Sequence, residues 1–203
     1  NHLVLEERVD GLSKIRVMPW DGSEEHYIQF DDAAYVSYLS TNKEFDTEVV
    51  RVGYSSMVTP NSVYDYNMNE KSKELLKQQK IMTGYNADEY HSERIWTEAR
   101  DGVKVPVSLV YKKDQFKQNG TSPLLLYGYG SYGASMDPYF RSTMLSLLNR
   151  GFVFAIAHIR GGQEMGRQWY EDGKLLNKKN TFTDFIDCGE QLVAEKYSAP
   201  DEL

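Results

Sequence analysis

Leu124-Leu125-Leu126-Tyr127-Gly128-Tyr129-Gly130-Ser131-Tyr132-Gly133 is an apolar strand that runs into a loop of alternating glycine and tyrosine. Gly128, Gly130 and Gly133 allow positive φ and the close approach of a ligand. Tyr127, Tyr129 and Tyr132 place hydroxyl donors and aromatic faces around the same turn. An ordinary tight turn after a buried strand reads the same way, so the residues on either side have to decide between the two.

Downstream, Phe140, Met144, Leu145 and Leu148 recur at helical spacing over 140–149, with Gly151 as a stop signal. Phe152–His158 is an unbroken apolar run, the pattern of a strand buried on both faces. Phe182, Phe185, Ile186, Leu192 and Val193 mark a second helix, and Thr181 with Asp184 resembles a capping box at its start. Cys188 falls inside that helix as a packing residue. Strand, helix, strand, helix predicts a parallel, doubly wound sheet. Glu93–Ala99 and Val103–Tyr111, joined around Asp101-Gly102, add a hairpin before it.

The N-terminal part has a different period. Leu3–Val9 and Leu12–Met18 flank Asp10-Gly11, a type I′ hairpin signal. Ala34–Ser40, Glu48–Tyr54, Ser62–Met68 and Ser72–Lys77 follow as evenly spaced strands. Four antiparallel strands in so short a stretch have the size of one propeller blade, and equally of a plain β-meander. The expected division is 1–85, all β, and 86–203, α/β.

Composition bounds the function classes. The 203 residues are 40% hydrophobic and 26% charged, which is globular composition. The net charge of −7 argues against nucleic acid as a partner. No apolar run reaches membrane-span length and no signal-peptide pattern is present, so no membrane partner is expected. The single cysteine fits a reducing compartment, and the expected location is cytoplasmic. Asn1 is not an initiator methionine, and the chain is expected to begin inside a longer protein. No metal-ligand or dinucleotide spacing occurs, and no cofactor or metal is expected.

A strand ending in a glycine-rich loop with a hydrogen-bond donor is how α/β-hydrolases build one side of an oxyanion hole. Tyr129 is the candidate donor. Tyr132 could line an aromatic pocket or cover the sheet edge. Asp137 could complement a helix N-terminus or meet a cationic substrate group. Arg160 and Glu164, in the loop after the second buried strand, are expected to pair. There is no G-x-S-x-G, and Ser131 lies on the wrong turn. His2, His26 and His91 precede the sheet, and His158 reads as a packed histidine. On this layout the nucleophile strand follows Ser198-Ala199-Pro200, so no complete triad lies within the chain.

Tyr-Gly-Tyr-Gly-Ser-Tyr-Gly (127–133), Ile-Arg-Gly-Gly-Gln-Glu-Met-Gly (159–166), Trp-Tyr-Glu-Asp-Gly-Lys (169–174) and Lys-Lys-Asn-Thr-Phe-Thr-Asp-Phe (178–185) together resemble the prolyl oligopeptidase family of serine peptidases. Ser-Ser-Met-Val-Thr-Pro (55–60) and Val-Pro-Val-Ser-Leu-Val-Tyr (105–111) point the same way, toward the branch that cleaves after Lys or Arg. The resemblance implies a β-propeller capping an α/β-hydrolase domain, the chain holding the end of the first and the first half of the second. It implies a Ser/Asp/His triad acting on short, basic peptides, with the nucleophile in a Gly-Gly-Ser-x-Gly-Gly elbow just beyond Leu203. It also implies that Tyr129 is the oxyanion donor, Tyr132 sits at the first substrate subsite and Asp137 at a second subsite for a basic residue. Relatives carry a further Asp two residues after that position, where this sequence has Tyr139. By this reading the 203 residues alone are inactive. The alternatives are a non-catalytic peptide-binding scaffold on a degenerate hydrolase domain, or a related peptidase on the same architecture.

Overall fold

The computed structural model describes residues 2–203. Its N-terminal part is two antiparallel sheets. Strands β1 (His2–Val9), β2 (Leu12–Pro19) and β3 (His26–Tyr27) form the first, with Val9 paired to Leu12 across the turn. Asp10 (φ 52°) and Gly11 (φ 79°) are both left-handed, as a type I′ turn requires. Strands β4 (Tyr35–Leu39), β5 (Val49–Ser56), β6 (Ser62–Asn67) and β7 (Ser72–Gln78) form the second, in simple sequential order. Alternation along β5 sends Val50 and Val52 inward, while Arg51 faces solvent and pairs with Asp65 of β6 at 2.7 Å. Ile15, Val17 and Ile28 from the first sheet and Val50, Val52, Tyr66 and Met68 from the second close one apolar layer between them. Strand β7 is exposed along its whole length and carries Lys73, Glu74 and Lys77, which keeps that edge in water.

The C-terminal part is a four-stranded sheet. Strands β8 (Tyr90–Glu98), β9 (Lys104–Lys112), β10 (Leu124–Tyr127) and β11 (Val153–Ala157) lie in the order β10-β11-β9-β8. The sheet is mixed, not parallel throughout: β10 and β11 are parallel, and β9 runs against both of its neighbours. The cause is local. The short turn at Asp101-Gly102 forces β9 antiparallel to β8, and only the long connection from β10 to β11 permits a parallel pair.

Strand β11 reads as unbroken apolar because both its faces are covered. Val153, Ala155 and Ala157 pack with Val105, Val107, Leu109, Trp169, Cys188 and Leu192. Phe154 and Ile156 face the other way, toward Tyr90, Phe140, Leu145 and Leu148. Met57 and Val58, from the turn between β5 and β6, belong to this second cluster, so the N-terminal part shares a core with the C-terminal one.

Helix content departs from expectation at two places. The helix expected over 140–149 is a 3-10 turn at Ser142–Met144 followed by one turn of helix α1 (Leu145–Leu148). Its beginning is missing: Arg141 keeps extended backbone, and the Phe140 N–H before it donates to Ser55 Oγ (3.0 Å). Helix α2 (Arg167–Glu171) is also short. Helix α3 (Lys179–Ala194) starts two residues before Thr181, so the expected capping box does not form. Thr181 and Asp184 are instead buried and turned toward neighbouring loops.

Candidate active site

Two parallel strands that end side by side leave a crevice beyond their carboxyl ends, where α/β sheets bind ligands. Here β10 runs into the glycine/tyrosine loop and β11 into the segment 158–166. The two loops touch backbone to backbone. The Gly133 N–H donates to the Gly161 carbonyl (2.9 Å), and the Gly161 N–H to the Trp169 carbonyl (2.9 Å). A Cβ on Gly161 (φ 101°) would stand 2.0 Å from the Gly130 carbonyl oxygen, and one on Gly173 2.1 Å from the Gly161 nitrogen. On Gly128 it would meet the Phe185 ring at 2.9 Å. The sequence suggested that loop glycines make way for a ligand. In the fold, Gly128, Gly130 and Gly161 make way for the chain itself.

A buried ion pair fixes this frame. Arg160 bonds Asp184 through its backbone N–H (3.0 Å) and its guanidinium (2.5 Å), and reaches Asp101 at 2.7 Å. Hydrogen bonding to Asp184, aided by Asp101, holds the guanidinium above its ordinary pKa in spite of burial. Arg160 therefore does not pair with Glu164 as expected. The spacing of four suggested a local pair, but Arg160 faces α3. Thr181 Oγ1 donates to the Arg160 carbonyl at 2.7 Å. Lys178 Nζ donates to the Gly130 carbonyl (2.5 Å) and to Ser131 Oγ (2.6 Å) beneath the loop, and desolvation lowers its pKa.

The side chains singled out by sequence are arranged around this frame. Tyr129 is 44% exposed, and its hydroxyl has no hydrogen-bond partner among the described residues, so a donor is free at the loop surface. Tyr132 (φ 58°) is 88% exposed. Asp137 complements no helix N-terminus. Arg8, at the end of β1, grips both its oxygens at 2.8 and 3.0 Å. Burial opposes the Arg8 charge, but hydrogen bonding and attraction from Asp137 outweigh it and hold the guanidinium above its ordinary pKa. Nothing in sequence spacing could have found Arg8, which lies 129 residues from its partner.

Behind the loops, His158 is buried with Nε2 2.8 Å from Ser108 Oγ and Nδ1 3.9 Å from Glu164 Oε1. Glu164 Oε1 accepts the Met136 N–H (2.8 Å), which ties the end of the glycine/tyrosine loop to the neighbouring one. His158 is buried, whereas Tyr129 lies exposed at the loop surface. Burial pushes the Cys188 thiol up to about 12, so it packs as an inert apolar group. No group of three His, Cys, Asp or Glu side chains suited to a metal ion occurs among the described residues. No helix is long and apolar enough to cross a membrane among them.

Comparison with known proteins agrees with this architecture. Residues 1–79 match the N-terminal β-propeller domain of prolyl oligopeptidase, and residues 138–203 match the prolyl oligopeptidase family proper. Dipeptidyl aminopeptidase BI of Pseudoxanthomonas mexicana is 52% identical over 201 residues, covering 98% of this chain and 27% of the relative. Protease 2 of Moraxella lacunata is 40% identical over 201 residues, covering 99% of this chain and 29% of the relative. The structure of oligopeptidase B from Leishmania major superposes on the whole chain with a TM-score of 0.88 at 39% identity, over 30% of its own length. The chain thus spans under a third of each of these proteins. The first match covers the two N-terminal sheets, and the second begins just after the glycine/tyrosine loop and covers β11 and helices α1 to α3: the chain belongs to the prolyl oligopeptidase family and holds the end of its propeller and the start of its hydrolase domain.

Proposed function

We propose that this protein is a serine endopeptidase that hydrolyses short peptides after Lys or Arg, acting in the cytoplasm, with its propeller part ending near residue 85. The observation that carries the reading is the Tyr129 hydroxyl, an unpartnered donor on the loop at the carboxyl end of the parallel strands. A phenol O–H aimed at the developing alkoxide of a tetrahedral intermediate stabilises charge that exists only in the transition state. The base of the loop packs directly on its neighbour, Gly130 against Gly161. In this reading Tyr132 forms part of the first substrate subsite. Asp137 offers a carboxylate to a basic residue of the peptide, and such a residue has to compete with Arg8 for it. The nucleophile and its base come from chain outside residues 1–203, so this stretch alone is inactive.

The test is hydrolysis of a chromogenic arginyl or lysyl peptide by the complete protein. Tyr129→Phe is expected to lower kcat by about 10²-fold with KM nearly unchanged. An unchanged kcat removes Tyr129 from the oxyanion site. No turnover by the unsubstituted protein, with the peptide still bound, favours a non-catalytic peptide-binding scaffold.

A further inference from the structure

The segment that continues from the glycine/tyrosine loop is held at three points. Glu164 takes the Met136 N–H, Arg8 takes the Asp137 carboxylate, and Ser55 Oγ takes the Phe140 N–H. Two of these three anchors come from the propeller part. Arg8–Asp137 is also the single ion pair, among the described residues, that joins the N-terminal sheets to the C-terminal one. With side-chain exposures of 28% and 23%, it is shielded more than a surface pair, and its two-pronged geometry fixes direction as well as distance.

The hairpin tip that presents Arg8 is itself seated. The Asp10 carbonyl accepts a hydrogen bond from Arg94 of β8. A Cβ on Gly11 would stand 2.7 Å from Arg94 Nη2 and 3.1 Å from Met165 Sδ, so the tip lies hard against the body. On the other side, Pro138 restricts Asp137 to extended backbone, and a pull on the carboxylate is passed on to the chain before it. That chain returns through Gly133, bonded to Gly161, to Tyr129.

We infer that Arg8 is a positioning residue: through Asp137 it sets the placement of the loop at 127–137, so the alignment of Tyr129 depends on how the propeller hairpin is seated. The inference rests on the peptidase reading for its catalytic consequence, and on geometry alone for the tie. It makes the propeller part a component of the site, and a shift of the hairpin becomes a shift of the oxyanion donor.

The experiment uses the complete protein and a peptide whose only charged residue is the one at the scissile bond, with hydrogen exchange followed over residues 127–140. Arg8→Ala should lower kcat about tenfold with KM changed by no more than about twofold, since a displaced catalytic group costs rate before binding. It should speed exchange over 127–140 and leave β8 and β9 as they are. Arg8→Lys, which keeps the charge and loses the fork, should fall between. The exchanged pair R8D/D137R should recover most of the lost kcat. Unchanged kcat and exchange in Arg8→Ala overturn the inference. Faster exchange with unchanged kcat overturns the positioning role, and a kcat loss with faster exchange throughout the sheet reduces Arg8 to a stability residue. If the unsubstituted protein has no peptidase activity, the peptidase reading falls, and exchange over 127–140 alone decides the tie.

Discussion

Gly161 and Gly102 both have left-handed backbones, at φ 101° and 84°, yet they stand in opposite surroundings. Around Gly102 a Cβ would meet nothing within 4 Å, whereas on Gly161 it would collide with the Gly130 carbonyl. Gly102→Ala is therefore expected to cost about 1 kcal/mol, the price of a left-handed alanine. Gly161→Ala adds an overpacking cost and is expected to lose about 3 kcal/mol or more in denaturant unfolding. Equal losses would mean that the contact between the two loops contributes nothing. The sequence made the glycines legible as special positions, because few other residues tolerate such backbones. It could not tell what approaches them. The same gap explains Arg160: its neighbour four residues on was visible in the sequence, and its true partner Asp184, 24 residues on, is a product of how α3 lies across the loops.

Among the elements, β11 is legible because its apolar run ends in burial, whereas α3 is legible as a helix but not by its buried face: Phe182 and Ile186 are exposed, and Thr181, Asp184, Asp187, Cys188 and Leu192 are buried in their place. The short helix α1 was overestimated because its apolar spacing is sound, while Arg141 is extended and Phe140 is held by Ser55 from another sheet, so the helix begins only after them. Tertiary hydrogen bonds of this kind leave no local trace. Helix α3 carries a testable pH dependence. Hydrogen bonds from Arg100, through both backbone and side chain, hold Asp187 below the ordinary carboxylate pKa. A lowered folded-state pKa means that the unfolded chain takes up the proton more readily. This stabilisation is complete above about pH 4 and is lost as pH falls through the depressed value. Urea midpoints measured between pH 3 and 6 should decline toward acid. Asp187→Asn should lower the midpoint at neutral pH and flatten the acid decline, and an unaltered slope would discount Asp187 as a contributor.

Across the molecule as a whole, the division into two periodicities was readable from sequence, but the way the two parts are joined was not. Met57 and Val58 lie in a turn between N-terminal strands, and nothing about their spacing announces that they pack under Phe140, Leu145 and Phe154. This shared core makes the join apolar as well as ionic. Met57→Ala should therefore cost about 2–4 kcal/mol. Because the cluster belongs to both parts, the loss should appear in the C-terminal sheet, read as faster exchange of Phe154 and Ile156 amides. A loss confined to β5 and β6 would show that the parts are energetically separate.

The tie between Arg8 and Asp137 also has a consequence in time. It links residues 129 apart, and the Ser55–Phe140 bond links residues 85 apart, so both belong to the slow, non-local contacts of folding. Hairpins such as the one at Asp10-Gly11 close locally, and during synthesis the N-terminal sheets exist before Asp137 has been made. The hairpin tip then waits as a preformed template, and the segment that orients the candidate site settles onto it only near the end. The chain has most of its secondary structure before the loop at 127–137 has a fixed shape, so amides of that loop should gain protection later in folding than those of the strands.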